Sequence, residues 1–306
     1  MLPIFSSLLT PVLRPLMIRR MRFNQSEIEG VVFKIADTLE EKTAAFKLVH
    51  EMYVRRGIIP ASEKNWRLSV FHLLPTTTIF VAKSGDRIIG SVSLIEDSPL
   101  GVPMEETHPK EILSLRLAGL RFAEVGALAV TQERRGKGVS LMLYNILLRW
   151  ARQYRLIRNL AIAVHPRIEK FFSVIFLFKR MGPVHSYKKL NCAPSVPLCV
   201  DLSTGLKQFR AIYDRPDMHI GLSRHSANVY RFFCEEWEAN LCLPQRSPFM
   251  PCLQSPPIWG PDELMWILRK GGVRPADLPR QQRRVLTKYY SSLPDPSMHT
   301  LRQEVC

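Results

Sequence analysis

An α/β fold, one mixed sheet flanked by helices, is predicted for residues 31–205 of this 306-residue chain by three observations. Short runs of alternating or continuous apolar residues recur between stretches whose apolar residues stand three and four apart. Ser84-Gly85-Asp86 separates two strand-like runs and reads as a hairpin turn. The third is the junction AEVGALAVTQERRGKGVSLMLYNILLRWA at 123–151, where an apolar strand meets a knot of charge and glycine and continues as an amphipathic helix.

Taken in order, Val31–Ala36 reads as a strand. Thr38 then caps a helix, with Glu41 placed to reach back in a capping box. Ala45, Leu48, Val49, Met52 and Tyr53 keep helical spacing until Arg56-Gly57 stops it. A second helical piece is expected over Glu63–Leu74, and Thr78–Lys83 with Arg87–Ile95 forms the hairpin. A loop at 96–109 leads to a short helix near Lys110–Leu117. Strand Phe122–Val130, helix Val139–Tyr154, strand Leu160–Val164, helix Lys170–Met181 and strands Val184–Tyr187 and Val196–Asp201 complete the alternation.

The two ends differ from this pattern. Beyond about residue 205, Pro244, Pro248, Pro251, Pro256 and further prolines disfavour strands, so residues 206–306 are expected to form a helical, proline-rich appendage with helices at Asp262–Lys270 and Arg280–Tyr290. Residues 1–30 form an apolar and basic leader interrupted by Pro3, Pro11, Arg14 and Pro15. It lacks the roughly 20 apolar residues of a spanning helix. A segment resting on a membrane surface, or a disordered leader, is expected there.

Charge points to the partners. Lys+Arg 43 against Asp+Glu 27 gives a formal net charge of +16, which predicts acidic ones. Between 131 and 190 there are 13 Lys/Arg and, as acids, only Glu133 and Glu169, so the excess surrounds the strand–helix junction. Nucleic acid is disfavoured, because the aromatic residues follow helical core spacing and are not interleaved with the basic run. The six cysteines show no C-x-x-C pair, so no metal site is expected and a reduced, cytoplasmic protein is the default, with peripheral contact at the inner membrane face open to the leader. At the junction itself, Arg134-Arg135-Gly136-Lys137-Gly138 before a helix start sets free backbone N–H groups where an anion such as phosphate would bind.

With its flanking elements, Arg135-Gly136-Lys137-Gly138-Val139-Ser140 resembles the donor-binding turn of the GNAT acyltransferases (the acyl-CoA N-acyltransferase fold). The segments FHLLPTTTIFVA, GSVSLIEDSPLGVPMEETHP, AEVGALAV and HPRIEKFF resemble the FeeM-like N-acyl amino acid synthases, relatives of the N-acyl homoserine lactone synthases. The resemblance covers residues 31–205 and implies a GNAT-like domain. It also implies transfer of a long fatty acyl group from acyl carrier protein (ACP) to the amine of an amino acid. No tightly bound cofactor is implied; the acyl thioester is a co-substrate, and acyl-CoA is an alternative donor. Val130, Arg135, Gly136, Gly138 and Ser140 are implied to hold the donor's pantetheine and phosphates. Phe172 stands where many relatives carry a Tyr that could protonate the leaving thiol, and His165 where an Asn is usual. RRGIIPASEKNWRL lacks the acidic cluster of the lactone synthases, which disfavours an S-adenosylmethionine acceptor.

Amide synthesis needs a neutral amine, a thioester in reach and donors for the oxyanion. Glu124, an acid inside an apolar strand, is the candidate base, because burial would raise its pKa toward a useful range. A buried ion pair with Arg116 or Arg121 is the competing reading. Backbone N–H groups at Leu128–Val130 are expected to serve the oxyanion. Ser93, Asp97 and Ser98 are candidates for the acceptor pocket, and Arg149, Arg152 and Arg155 for carrier docking. A second docking candidate is PRQQRRVLTKYY. His165 is read as structural, and the stripe Phe171, Phe172, Ile175, Phe176 and Phe178 as core that walls part of an acyl tunnel. Two other functions remain open at this point: a CoA-dependent acetyltransferase on a small molecule or protein, and a non-catalytic acyl-ACP sensor.

Overall fold

The computed structural model describes residues 3–21, 24–218, 228–235, 241–243, 259–271 and 274–290. The chain begins with helix α1 (Pro3–Met21), followed by β1 (Val31–Ile35), α2 (Leu39–Arg55), β2 (Thr77–Ser84), β3 (Arg87–Glu96), α3 (Pro109–Leu117) and β4 (Phe122–Val130). Then come α4 (Val139–Arg149), β5 (Asn159–Val164), α5 (Pro166–Ile175), β6 (Lys179–Arg180), β7 (His185–Tyr187), β8 (Ala193–Asp201) and α6 (Leu202–Tyr213). The last are α7 (Val229–Cys234), β9 (Leu241–Cys242), α8 (Pro261–Lys270) and α9 (Arg280–Thr287). The strands form a mixed sheet in the order β6-β8-β5-β4-β3-β2-β1-β9, with β7 attached to β8. This is the mixed α/β sheet that the sequence predicts.

Alternation divides the central strands between two cores. Phe80 and Ala82 of β2 face a cluster that includes α4 and α5, whereas Ile79 and Val81 face one that includes α2, α8 and α9. The start of α4 can lie directly on β3 because residue 90 is glycine: a Cβ there would meet Val139 Cγ1 at 2.8 Å. Helices therefore cover both faces of the sheet.

Several elements depart from expectation for physical reasons. No helix spans 63–74. Asn65 is left-handed at φ 50, the Arg67 amide bonds Phe46 O at 3.2 Å, and helical structure is confined to a 3-10 turn at Val70–Leu73. Thr38 does cap α2, but Glu41 Oε2 accepts from the Asp37 amide, one residue outside the expected box. The 170–181 helix starts four residues earlier, with His165 as cap and Pro166 in the first turn. It ends by Phe176, because Leu177 turns left-handed (φ 59) and Lys179–Arg180 pair with β8. The helix from 139 is α-helical to Arg149 and then a π-turn over Trp150–Tyr154.

The ends are packed. Ile18 and Met21 of α1 are buried in the main core, and Arg14 Nε donates to Val174 O at 3.2 Å. Among the described residues no helix is long and apolar enough to cross a membrane. Trp259, Leu264, Ile267, Leu286 and Tyr290 share a core with α2 and β2, and β9 pairs in parallel with β1. Cys252 and Cys306, with most of the proline-rich run, lie outside the described residues.

Candidate active site

The site grows from a defect in the sheet. β4 and β5 pair only from Phe122↔Asn159 to Glu124↔Ala161, although both strands continue, so beyond Glu124 they diverge. On its other edge β4 is bulged: Ser93 pairs with Gly126 and Ser91 with Ala129, and Ala127 takes φ 53. The main chain of Val125–Ala127 thus lines two adjoining cavities, one of ≈ 760 Å³ and one of ≈ 450 Å³. Tyr53 and Tyr187 also border both.

Glu124 lies at the mouth of this divergence, on the larger cavity. It is 6% exposed, and its one described polar contact is the Met104 amide, which donates to Oε2 at 2.7 Å. Burial pushes its carboxyl up to about 8, against the smaller pull of the Met104 hydrogen bond. The ion-pair reading fails, because both arginines are engaged elsewhere. Arg116 holds Asp97 at 2.7 Å and Glu105 at 2.5 Å, and Arg121 holds Glu96 at 2.9 Å.

Two residues not singled out from the sequence complete the larger cavity. Arg67 lines it with its guanidinium 5.1 Å from the Tyr53 ring centroid and makes no ion pair among the described residues. Tyr187 stands near Glu124; burial first, then that carboxyl, pushes its phenol up to about 12. His72 also borders the cavity, pushed down to about 4 by burial and by Arg67, so it is neutral and a poor proton acceptor at pH 7. Its side chain bonds Ser69 and lies 3.4 Å from Ser93 Oγ.

The smaller cavity runs under α4 and α5, bordered by Leu128, Tyr144, Ile162, His165 and Phe172. Tyr144 and Phe172 pack edge to face at 6.0 Å, and burial holds the Tyr144 phenol protonated well above its usual range. Behind them Phe176 packs on Tyr144 and also walls a separate apolar pocket of ≈ 70 Å³. Toward the surface, Gly138 takes φ 77 as the α4 cap and Gly136 φ 75, conformations that glycine adopts freely. The first intrahelical bond runs from Met142 N to Gly138 O, so the amides of Val139, Ser140 and Leu141 precede the helical ladder. Arg135 is exposed there. Arg56, on the border of the smaller cavity, loses basicity through burial and then through the nearby Arg135 charge. The two like charges are near enough to interact, and positive charge beside helix N-terminal amides outside the ladder favours an anion.

The remaining predicted residues lie apart from this chemistry. Val130 is buried and paired with Gly90, bordering neither cavity, whereas Leu128 borders the smaller one. Asp97 is bound to Arg116, and Ser98 Oγ donates to Gly101 O within its own loop. Neither they nor Ser93 line the larger cavity. His165 Nδ1 caps α5 by accepting from the Arg167 amide at 3.1 Å. Arg149 and Arg155, expected on a docking surface, are 2% and 3% exposed. Arg149 bonds Asn145 Oδ1 and Phe232 O, and Arg155 pairs with Glu96. Of that trio Arg152 alone is partly exposed, with a 3.4 Å bond to Cys234 O.

The family model of the N-acyl amino acid synthase FeeM matches residues 44–201, and the chain belongs to that family. It is an N-acyltransferase. The structure of FeeM, an N-acyl amino acid synthase from uncultured soil microbes, shares the fold, with a TM-score of 0.52 and 24% identity over 58% of this chain and 94% of that one. The CoA-dependent acyl-homoserine lactone synthase BjaI is more distant, at TM-score 0.45 and 16% identity over 63% and 90% of the two chains. No curated protein matches.

Proposed function

From membership of the FeeM N-acyl amino acid synthase family, we propose that this enzyme transfers a long fatty acyl group from ACP to the α-amine of an amino acid. One observation carries the reading: a buried carboxyl without a cationic partner, pushed up to about 8, stands where the sheet parts between two cavities. In the larger cavity the acceptor's ammonium gives a proton to Glu124, and its carboxylate meets Arg67. The freed amine attacks the thioester carbonyl presented from the smaller cavity through the gap at Val125–Ala127. Main-chain N–H groups around Leu128 receive the oxyanion. As the tetrahedral intermediate collapses, the C–S bond breaks and the thiolate takes up the second proton lost from the amine nitrogen, so no acid is needed at Phe172, while Glu124 returns the first proton to solvent.

The donor enters along α4. Its phosphate lies on the amides following Gly138, between Arg56 and Arg135, and the acyl chain runs past Phe172 toward Phe176. The acidic carrier meets the exposed cations Arg56, Arg135, Lys137, Arg167 and Lys170 around this entrance. The test is product mass spectrometry with purified enzyme, acyl-ACP and acyl-CoA donors of graded chain length, and a panel of amino acids beside their decarboxylated amines. Long-chain N-acyl amino acids formed from acyl-ACP are expected, with Arg67→Ala raising KM for amino acids about tenfold or more and leaving the amines unaffected. Acetyl transfer from acetyl-CoA as the dominant activity would overturn the reading.

A further inference from the structure

We propose that His108, Glu111 and His185 form a zinc site that ties the start of α3 to β7. His108 is the residue at the cap of α3 and Glu111 lies within its first turn, so both project from the same end of the helix. His185 opens β7. One nitrogen of each imidazole and one Glu111 carboxylate oxygen all lie within 4.8 Å of one another.

The second observation comes from His108 itself, which is 0% exposed. Its Nε2 lies 2.9 Å from the hydroxyl of Ser195, the residue that pairs with His185 in the β7–β8 ladder. With the Nε2–H donated to Ser195, Nδ1 presents a lone pair, and that buried atom has no hydrogen-bond partner among the described residues. Leaving such an atom unmet is costly. Glu111 lies so close to Gly182 that a Cβ there would collide with its carboxylate, so the glycine leaves room for the acid.

The donor set selects the metal. Two neutral imidazoles and one carboxylate suit Zn²⁺, with water in the fourth position. Ser195 acts as the outer partner that fixes the tautomer and orientation of a ligating histidine. Ligand atoms of a tetrahedral zinc stand about 3.4 Å apart. Closing the observed cluster on a metal therefore takes a shift on the order of 1 Å, which the exposed His185 and partly exposed Glu111 can make.

The site has a structural consequence. Tyr187 Oη donates to Pro103 O at 3.4 Å and Lys189 pairs with Glu106 at 2.6 Å, so the 103–111 and 185–189 segments are already joined. Zinc adds a third tie and fixes the segment whose Met104 amide holds Glu124. It is a clamp on the cavity wall and takes no part in the acyl transfer.

The test is a Zn²⁺ titration of the chelator-stripped full chain against a chromophoric competitor, followed by thermal melts and Co²⁺ spectra. One equivalent of zinc, a raised melting temperature and a tetrahedral cobalt band are expected. His185→Ala and Glu111→Gln, both on solvent-reaching side chains, should each weaken binding by about 100-fold or more and remove the zinc-dependent rise in melting temperature. Absence of stoichiometric binding would overturn the site. So would binding that survives both substitutions but is lost when the exposed thiols of Cys192 and Cys242 are alkylated. These readouts are independent of which acyl donor or acceptor the enzyme uses.

Discussion

Replacing Glu124 by Gln should make the protein more stable at neutral and alkaline pH while removing its activity. Burial pushes the carboxyl up to about 8 in the folded chain, against an ordinary value of 4.5. Between those values the unfolded chain has released the proton and the folded chain still holds it, so the unfolded state binds fewer protons and stability falls as pH rises. The slope is about 1.4 kcal/mol per pH unit, which accumulates to about 5 kcal/mol across the whole shift. Gln keeps the amide contact from Met104 and cannot ionise, so the variant should lack this slope. Urea melts of both proteins from pH 5 to pH 8 read the difference directly, and the gain of the variant should widen with pH.

In the proposed reaction the same carboxyl sets the kinetics. At pH 7 only about a tenth of a group titrating near 8 is ionised, so kcat/KM of the native enzyme should climb through about pH 8. Glu124→Gln should lose about 10²–10⁴-fold in turnover at pH 7 with donor affinity intact, and recover part of it as the acceptor amine deprotonates in solution. Parallel stability curves for the two proteins would show that the carboxyl is ionised in the fold. A folded, fully active Gln variant would refute its role as base.

Arg56→Glu or Arg135→Glu should raise KM for acyl-ACP by about tenfold or more, an effect weakened by salt, with KM for the amino acid unchanged. Equal effects on both substrates would count against the anion site. Phe176→Ala should join the ≈ 450 Å³ cavity to the ≈ 70 Å³ apolar pocket and shift donor preference to longer chains, read from product masses. It should cost about 3–5 kcal/mol in stability; an unchanged length profile in a folded variant would place the acyl chain elsewhere. Truncation after Pro279 should remove the burial of Leu286 and Tyr290 and the Tyr290 Oη bond to Leu73 O at 2.7 Å, lowering the melting temperature before any effect on carrier binding.

The strand and turn at 122–140 were legible in the sequence because their signals are local: an apolar run, two glycines that turn left-handed, and an acid with no polar neighbour along the strand. The failures are of another kind. A basic residue late in a surface helix defaults to solvent, yet Arg149 is held by Asn145 and by a carbonyl of α7 that lies 83 residues away in sequence. Arg155 follows a π-turn, which changes the face that a simple α-helical count assigns to it. Arg56 and Arg67 gain meaning only from what faces them, Arg135 in one case and a cavity with Glu124 in the other. The proposed metal cluster runs against the sequence expectation of no metal site, because His108-Pro-Lys-Glu111 is too short a motif to read without the strand that brings His185 to it.

The proposed reaction would draw its chemistry and its selectivity from different parts of the chain. The diverging strands, Glu124 and the Gly136–Ser140 turn all fall within residues 44–201, the span shared with the family. The larger cavity has another wall beyond that span, built by Leu268 of α8, Gln281 and Gln282 of α9 and Leu278 from the segment between them, and Gln281 Nε2 reaches across to Pro99 O at 3.3 Å. A carboxylate and an ammonium are common to every amino acid, so Arg67 and Glu124 would not distinguish one acceptor from another. What remains to be distinguished is the side chain, and the two glutamines and two leucines are the groups that a side chain extending from that anchored backbone would meet. Selectivity among amino acids would then change by substitution at 281 and 282 while the pH dependence set by Glu124 stayed in place.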